Sequence, residues 1–136
     1  MSLINQRHFP HLQHDEIILF KRWLLIHEKD WESFEFDVHV GIGTVPENDK
    51  DKISQSFKRL TQKRIDVVAF RTQETCLIEI RPQADHTALG NLLAYKELFV
   101  RDFKPMNRIS LLCITDRIRP DDEFAIRAHA ILLEVV

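Results

Sequence analysis

The sequence has few of the residues that interrupt regular structure, with only 3 glycines and 5 prolines among 136 residues. It also lacks internal repeats and low-complexity segments, and its 44% apolar and 29% charged residues exclude collagen-like and disordered chains. A chain of this length has room for one domain. We therefore expect a single globular domain over residues 1–136, in which residues 1–13 form an N-terminal arm.

Cysteine is scarce as well, since Cys76 and Cys113 are the two in the chain. Both lie in apolar runs typical of strands, so we expect buried free thiols in a reducing compartment, with a disulfide bond as the alternative. No apolar run approaches the ~18 residues of a membrane span, and the first ten residues lack the apolar core of a signal peptide. These absences predict a cytoplasmic protein without a membrane partner.

An excess of positive charge is also missing, because 19 Lys and Arg residues stand against 21 Asp and Glu residues, for a net charge of −2. This excludes a generally basic nucleic-acid binder but not a locally basic one, since net charge averages over all faces. Between Lys50 and Arg71 the basic residues exceed the acidic ones by five. The residues of this stretch that we expect to contact DNA phosphates are Lys58, Arg59, Lys63 and Arg64. A solvated surface without a ligand is the alternative.

Apolar periodicity predicts helices and strands in alternation. A period near 3.6 predicts a first helix over residues 15–28, and a period of two predicts a strand over 34–43. That strand should place Phe34, Phe36, Val38 and Val40 on one face.

The rest of the chain predicts a short helix, a hairpin and then an α-β-α-β pattern. The remaining predicted elements are a short helix over 53–62, strands over 65–70 and 75–80, a helix over 86–102, a strand over 108–115, a helix over 121–130 and a strand over 131–136. Gln73 and Glu74 should form the hairpin turn, Pro82 should end its second strand, and Asp85 should cap the following helix. The order predicts an α/β fold with a mixed central sheet flanked by helices.

The two strands of the predicted hairpin each carry a carboxylate within an apolar run. Alternation places Asp66 and Val68 on one side of the first strand, and Glu79 and Arg81 on one side of the second. In a hairpin Asp66 and Glu79 converge, and two convergent carboxylates suit a hard cation such as Mg²⁺, which helps to hold and hydrolyse a phosphate. The alternative is an ion pair between Arg81 and either carboxylate that closes the end of the sheet.

Two more polar residues are candidates for this site. Glu16 falls on the apolar side of the first helix, where a carboxylate is costly unless it is paired, so it is a candidate third acidic ligand. Gln83 follows Arg81 by two residues and shares its side, where it either lines the site or remains a strand-edge amide.

Residues 63–99 contain three characteristic segments, KRIDVVAF, LIEIRP and ALGNLLAYKELF. These segments resemble the PD-(D/E)XK nuclease superfamily, which includes many restriction enzymes, RecB-type nuclease domains and Holliday-junction resolvases. In that family an Asp ends one strand, Glu-x-Lys lies on the next, and the following helix often carries Gln-Leu-x-x-x-Tyr. Asp66, Glu79 and Tyr95 match the Asp, the Glu and the helix Tyr, and Glu16 matches an acidic residue on the first helix. The surroundings are similar to small uncharacterised bacteriophage members.

The resemblance implies a restriction-endonuclease-like fold and DNA hydrolysis that depends on Mg²⁺ or Mn²⁺, in the cytoplasm of a bacterial or phage-infected cell. It assigns catalysis to Asp66, Glu79 and Arg81, and metal binding to Asp66, Glu79 and Glu16. The residues that it implies in supporting roles are Gln83, Asn91 and Tyr95. Because many members act as dimers or within larger machines, it also allows a homodimer or a larger assembly.

The chain departs from the family pattern at two positions. Arg81 stands where the family has lysine, and arginine can hold a phosphate bidentately but effectively cannot give up a proton. Asn91 replaces the helix glutamine, and the neighbouring Lys96 is either a relocated lysine or a surface residue. A catalytically degenerate member of the family that binds nucleic acid or serves in assembly is therefore the alternative function.

Overall fold

The structure is a computed structural model that describes residues 2–44, 58 and 60–136. The predicted helix over 53–62 lies outside the described residues except at Lys58, Leu60 and Thr61, which are helical. Part of the basic stretch, residues 50–57 and Arg59, also lies outside them.

In the described part of the chain, three α-helices and five strands follow one another in the order that the sequence predicts, apart from the helical residues near 60. The helices are α1 (His14–His27), α2 (His86–Phe103) and α3 (Pro120–Arg127). The strands are β1 (Ser33–Val40), β2 (Lys63–Arg71), β3 (Glu74–Ala84), β4 (Arg108–Ile118) and β5 (Leu132–Val135).

The five strands form one mixed sheet in the order β1-β2-β3-β4-β5. Strands β1, β2 and β3 pair antiparallel, whereas β3, β4 and β5 pair parallel. Parallel neighbours need a crossover connection, and α2 and α3 supply the two that are required. The predicted α/β fold with a mixed central sheet flanked by helices is confirmed.

Helices cover both faces of the sheet. On one face α1 buries Leu19, Phe20, Trp23 and Leu24, the side that the helical periodicity predicts. The N-terminal arm joins this core, because Phe9 is fully buried and its ring meets that of Phe20 edge to face at 5.6 Å. On the other face α2 buries Ala88, Leu92, Tyr95 and Phe99, together with Ile126 of α3.

The prediction that the apolar residues of β1 share one face is wrong. Phe34 and Phe36 pack on the α1 side, whereas Val38 and Val40 pack on the α2 side. The reason is Asp37, whose φ of 54° is left-handed and breaks the two-residue alternation between them. The strand also ends at Val40, ahead of the predicted residue 43, because Gly41 turns the chain with a φ of 87°.

The prediction that Pro82 ends the second hairpin strand is also wrong, because β3 continues to Ala84. The amide of Ile80 donates to Asp66 of β2, whereas further along the strand the Ala84 amide donates to Thr115 of β4. Pro82 lies between these two residues, beyond the segment Val67–Arg71 that pairs with β3, and the ladder to β4 passes over it. A proline there removes no ladder hydrogen bond. The hairpin turn itself lies at residues 72–73, one residue before the predicted position.

Both cysteines are buried free thiols, as predicted. Burial, with repulsion from Glu79 as a second cause, raises the pKa of the Cys113 thiol to about 12. Within residues 2–44, 58 and 60–136, no helix is long and apolar enough to cross a membrane.

Candidate functional site

Strands β2 and β3 separate at the position of the two predicted carboxylates. Their pairing runs from Arg71 opposite Glu74 to Val67 opposite Ile78, and one further step in that register places Asp66 opposite Glu79. At this step the Ile80 amide donates to Asp66 Oδ2 at 2.9 Å. A side-chain carboxylate thus takes the place of a strand carbonyl, which orients Asp66 toward β3.

Asp66 and Glu79 are buried side by side, with 9% and 3% of their surfaces exposed. Burial first, and then the charge of Glu79, raises the pKa of Asp66 from its ordinary value to about 8. A hydrogen bond between the two carboxyl groups raises it further, whereas the bond from Ile80 acts in the opposite direction. At neutral pH the pair therefore retains a proton when no cation lies beside it.

Glu79 is held by donors from two elements. Asn91 Nδ2 of α2 donates to Glu79 Oε2 at 2.8 Å, and Arg81 Nη2 lies 3.2 Å from the same oxygen. The Arg81 side chain is 38% exposed, so its guanidinium group extends from the buried acid toward solvent. The ion pair with Glu79 that the sequence offered as an alternative is therefore present, and it lies beside the paired carboxylates.

Tyr95 lies one helical turn after Asn91, so both side chains come from the same face of α2. Tyr95 is 6% exposed, and burial, followed by repulsion from Glu79 and Asp66, raises its pKa above the ordinary value. The phenol thus stays protonated and remains a hydrogen-bond donor near the two acids. The structure brings together Asp66, Glu79, Arg81, Asn91 and Tyr95.

Glu16 faces this region from the first turn of α1 but has another partner. Its Oε1 accepts the Gln13 amide at 2.8 Å in a capping box, and its charge contributes to the raised pKa of Asp66. In the described part of the chain, no group of three His, Cys, Asp or Glu side chains is arranged to hold a metal ion. Because Mg²⁺ is commonly bound through one or two carboxylates and several waters, Asp66 and Glu79 fit that ion as a two-carboxylate site.

Gln83 lies next to a cleft of about 840 Å³, and the carboxylate pair does not line this cleft. The cleft is bounded by the carboxyl ends of β3 and β4 and the first turns of α2 and α3. Its lining residues are Gln83, Asp85, His86, Arg119, Pro120, Asp121 and Asp122. Ligands commonly bind outside the carboxyl ends of parallel strands.

Lys96 is exposed on α2, which agrees with the surface alternative for that lysine.

The candidate DNA-contacting residues that the structure describes lie in different environments. Lys63 is exposed at the start of β2, and Lys58 is half-buried. Arg64 forms a bidentate pair with Asp37, with distances of 2.6 and 2.7 Å, and its hydrogen bond lowers the pKa of that carboxyl group. The guanidinium group of Arg64 thus stabilises the left-handed residue in β1.

A third buried carboxylate, Glu74, was not among the sequence-based candidates because the sequence assigns it to the hairpin turn. It is 4% exposed and accepts hydrogen bonds from Ser110, Arg71 and Arg108. Burial would raise its pKa, but these three donors lower it to about 2. The signal in the sequence is weak, since it consists of an arginine three residues before a glutamate that opens an apolar run.

No family model matches the chain, and no curated protein matches it. One similar solved structure is the crystal structure of AF1548, described as a protein of unknown function, with 16% identity and a TM-score of 0.45 over 87% of this chain. The chain spans 56% of the length of that protein.

Proposed function

We propose that this chain is a PD-(D/E)XK-type nuclease that hydrolyses DNA phosphodiester bonds with the aid of Mg²⁺ or Mn²⁺. The supporting observation is the buried pair of Asp66 and Glu79 at the point where β2 and β3 separate, with Arg81 beside it. Burying two acids next to each other costs free energy of folding, and a bound cation offsets that cost. Perturbed acids of this kind are typical of functional sites.

Each residue of the site has a distinct role in this proposal. Asp66 and Glu79 would hold the cation, which would act as a Lewis acid and lower the pKa of the attacking water. Asn91 keeps Glu79 oriented through its 2.8 Å hydrogen bond. Arg81 is exposed enough to turn from Glu79 to a phosphate, which it can hold bidentately. Because arginine does not give up its proton, Arg81 binds and stabilises charge but is not the base.

The first test is the cleavage of DNA by an Asp66→Ala variant. We expect the wild-type protein to cleave linear or supercoiled DNA in Mg²⁺ or Mn²⁺, and the variant to lose this activity, because one of the two carboxylate ligands is gone. Asp116→Asn is the matched control, since Asp116 is exposed and pairs weakly with Arg22 at 3.9 Å. Unchanged cleavage by Asp66→Ala would exclude the assignment.

A non-catalytic, DNA-binding or assembly role is the second candidate function. It is favoured by Arg81, which stands at the lysine position of the family and already neutralises Glu79 at 3.2 Å. Arg81→Lys discriminates between the two candidates, because lysine restores a group that can lose its proton.

If the nuclease proposal is right, the wild-type protein cleaves DNA and calorimetry detects Mn²⁺ binding that Asp66→Ala removes. Cleavage that arises only in Arg81→Lys supports the second candidate. A wild-type protein that neither binds Mn²⁺ nor cleaves DNA contradicts the nuclease proposal.

A further inference from the structure

The end of β3 carries Arg81 and Gln83 beyond the part of the strand that β2 supports. Pairing with β2 covers residues 74–78 of β3, whereas pairing with β4 continues to Ala84 opposite Ile118. Within this extension the parallel ladder includes Arg81, Gln83 and Ala84 and passes over Pro82. The place of the Arg81 guanidinium group therefore depends on how β4 holds the extension.

Thr115 of β4 lies directly beside this extension. It is fully buried, and it is the register partner of Arg81. Its Oγ1 accepts the Ala84 amide at 3.0 Å, and its own proton lies within reach of the Arg117 carbonyl at 3.0 Å and the Pro82 carbonyl at 3.4 Å. A hydroxyl group can accept and donate at the same time, whereas a methyl group can do neither.

These contacts determine where β3 passes into α2. Ala84 immediately precedes Asp85, whose side chain caps α2 by accepting the Thr87 amide at 2.8 Å. Further along the same helix, Asn91 donates to Glu79. The junction between β3 and α2 therefore lies between Arg81 on the strand and Asn91 on the helix.

We propose that Thr115 is a positioning residue for the reaction: its hydroxyl group holds the junction between β3 and α2 so that Arg81 meets the scissile phosphate and Gln83 faces the adjacent cleft. This inference rests on the proposed function. Thr115 is fully buried and acts through Arg81 and Gln83 rather than on the substrate itself.

The test compares Thr115→Val with Thr115→Ser and with a matched control, Thr75→Val. Thr75 is also a buried threonine next to β4, but it lies at the opposite end of β3, where its hydroxyl donates to Asn107 Oδ1 at 3.0 Å. Each valine variant loses the hydrogen bonds of one buried hydroxyl group, and only one of them lies beside the site. All measurements are made well below the melting temperature of each variant.

We expect Thr115→Val to raise the KM for a DNA oligonucleotide about tenfold, which is the effect of one lost hydrogen bond to a group that orders the site. Mn²⁺ affinity should stay unchanged, because Asp66 and Glu79 are intact. Thr115→Ser should restore KM to near the wild-type value, and Thr75→Val should leave it unaltered. Equal effects of the two valine variants on KM, or a failure of serine to restore it, would overturn the inference.

Amide hydrogen exchange of residues 80–88, measured without substrate, separates this inference from the proposed function. We expect faster exchange in Thr115→Val than in Thr75→Val or the wild-type protein. If the wild-type protein neither binds nor cleaves DNA, the nuclease proposal fails, and the exchange rates alone decide whether Thr115 holds the junction. Unchanged exchange in Thr115→Val would show that Thr115 does not hold the junction between β3 and α2.

Discussion

In the free protein, opposing effects act on the ionisation of Asp66. Its Oδ2 accepts the Ile80 amide, which favours the charged form, whereas burial and the neighbouring Glu79 favour the protonated form and raise its pKa to about 8. Natural proteins accept such a cost at functional sites, where stability is exchanged for chemistry. The same residue therefore connects the proposed activity with a measurable penalty in stability.

The raised pKa of Asp66 predicts the pH dependence of this penalty. In the unfolded chain Asp66 ionises near its ordinary pKa of 3.8, whereas in the folded protein it retains the proton up to about pH 8. The unfolded state thus loses its proton first, and stability falls as pH rises from about 4 to 8. Asp66→Asn removes this titration, so the stability of the variant relative to the wild-type protein should rise over that range by up to about 5 kcal/mol.

Urea unfolding at pH 4, 6 and 8 without divalent cations measures this effect. Asp116→Asn serves as the control, because Asp116 is exposed and should show no such trend. A stability difference between Asp66→Asn and the wild-type protein that stays constant from pH 4 to pH 8 would rule out the explanation.

At the scale of elements, the β2–β3 hairpin has buried acidic side chains at both ends. The two ends differ in which groups form hydrogen bonds with those side chains. At the turn end, Glu74 accepts hydrogen bonds from Arg71 on β2 and from Arg108 and Ser110 on β4. These bonds join three strands and leave Glu74 charged. At the open end, the pair of Asp66 and Glu79 retains a proton at neutral pH, and under the proposed function this is the end that binds the cation.

Glu74→Gln should destabilise the protein by about 2 kcal/mol at neutral pH, since hydrogen bonds to a charged group are lost or weakened. The pKa of Glu74 is lowered from 4.5 to about 2, so its contribution is present above pH 4.5 and disappears as pH falls toward 2. Unfolding free energies of the variant and the wild-type protein should therefore converge at low pH.

Denaturant unfolding between pH 2 and 7 measures this convergence. Glu97→Gln on the exposed side of α2 is the control, and it should change little. An equal loss of stability at pH 2 and pH 7 in Glu74→Gln would show that packing, and not charge, explains the role of Glu74.

At the scale of the whole molecule, the net charge of −2 is compatible with a DNA-acting protein. Three of its carboxylates, Asp66, Glu74 and Glu79, are buried and are protonated or engaged by cationic side chains. The formal net charge therefore overstates the negative charge that these three residues present to a ligand. The carboxylate pair and the 840 Å³ cleft lie along the same end of β3, with Arg81 between them. Under the proposed function, a DNA strand held by Arg81 would lie near both features.

The sequence by itself determined the order of elements, the hairpin, the cap at Asp85 and the meeting of Asp66 with Glu79. These features follow from local periodicity and from alternation along two consecutive strands, which need no knowledge of distant contacts. Tertiary structure alone decided that Asp37 switches the face of β1, because that conformation depends on Arg64, 27 residues away. It likewise decided that β3 passes through Pro82, that Glu74 is buried among three donors, and that Thr115 holds the strand end. Each of these features depends on which elements become neighbours in the sheet. The spacing of residues along one segment does not encode which elements those are.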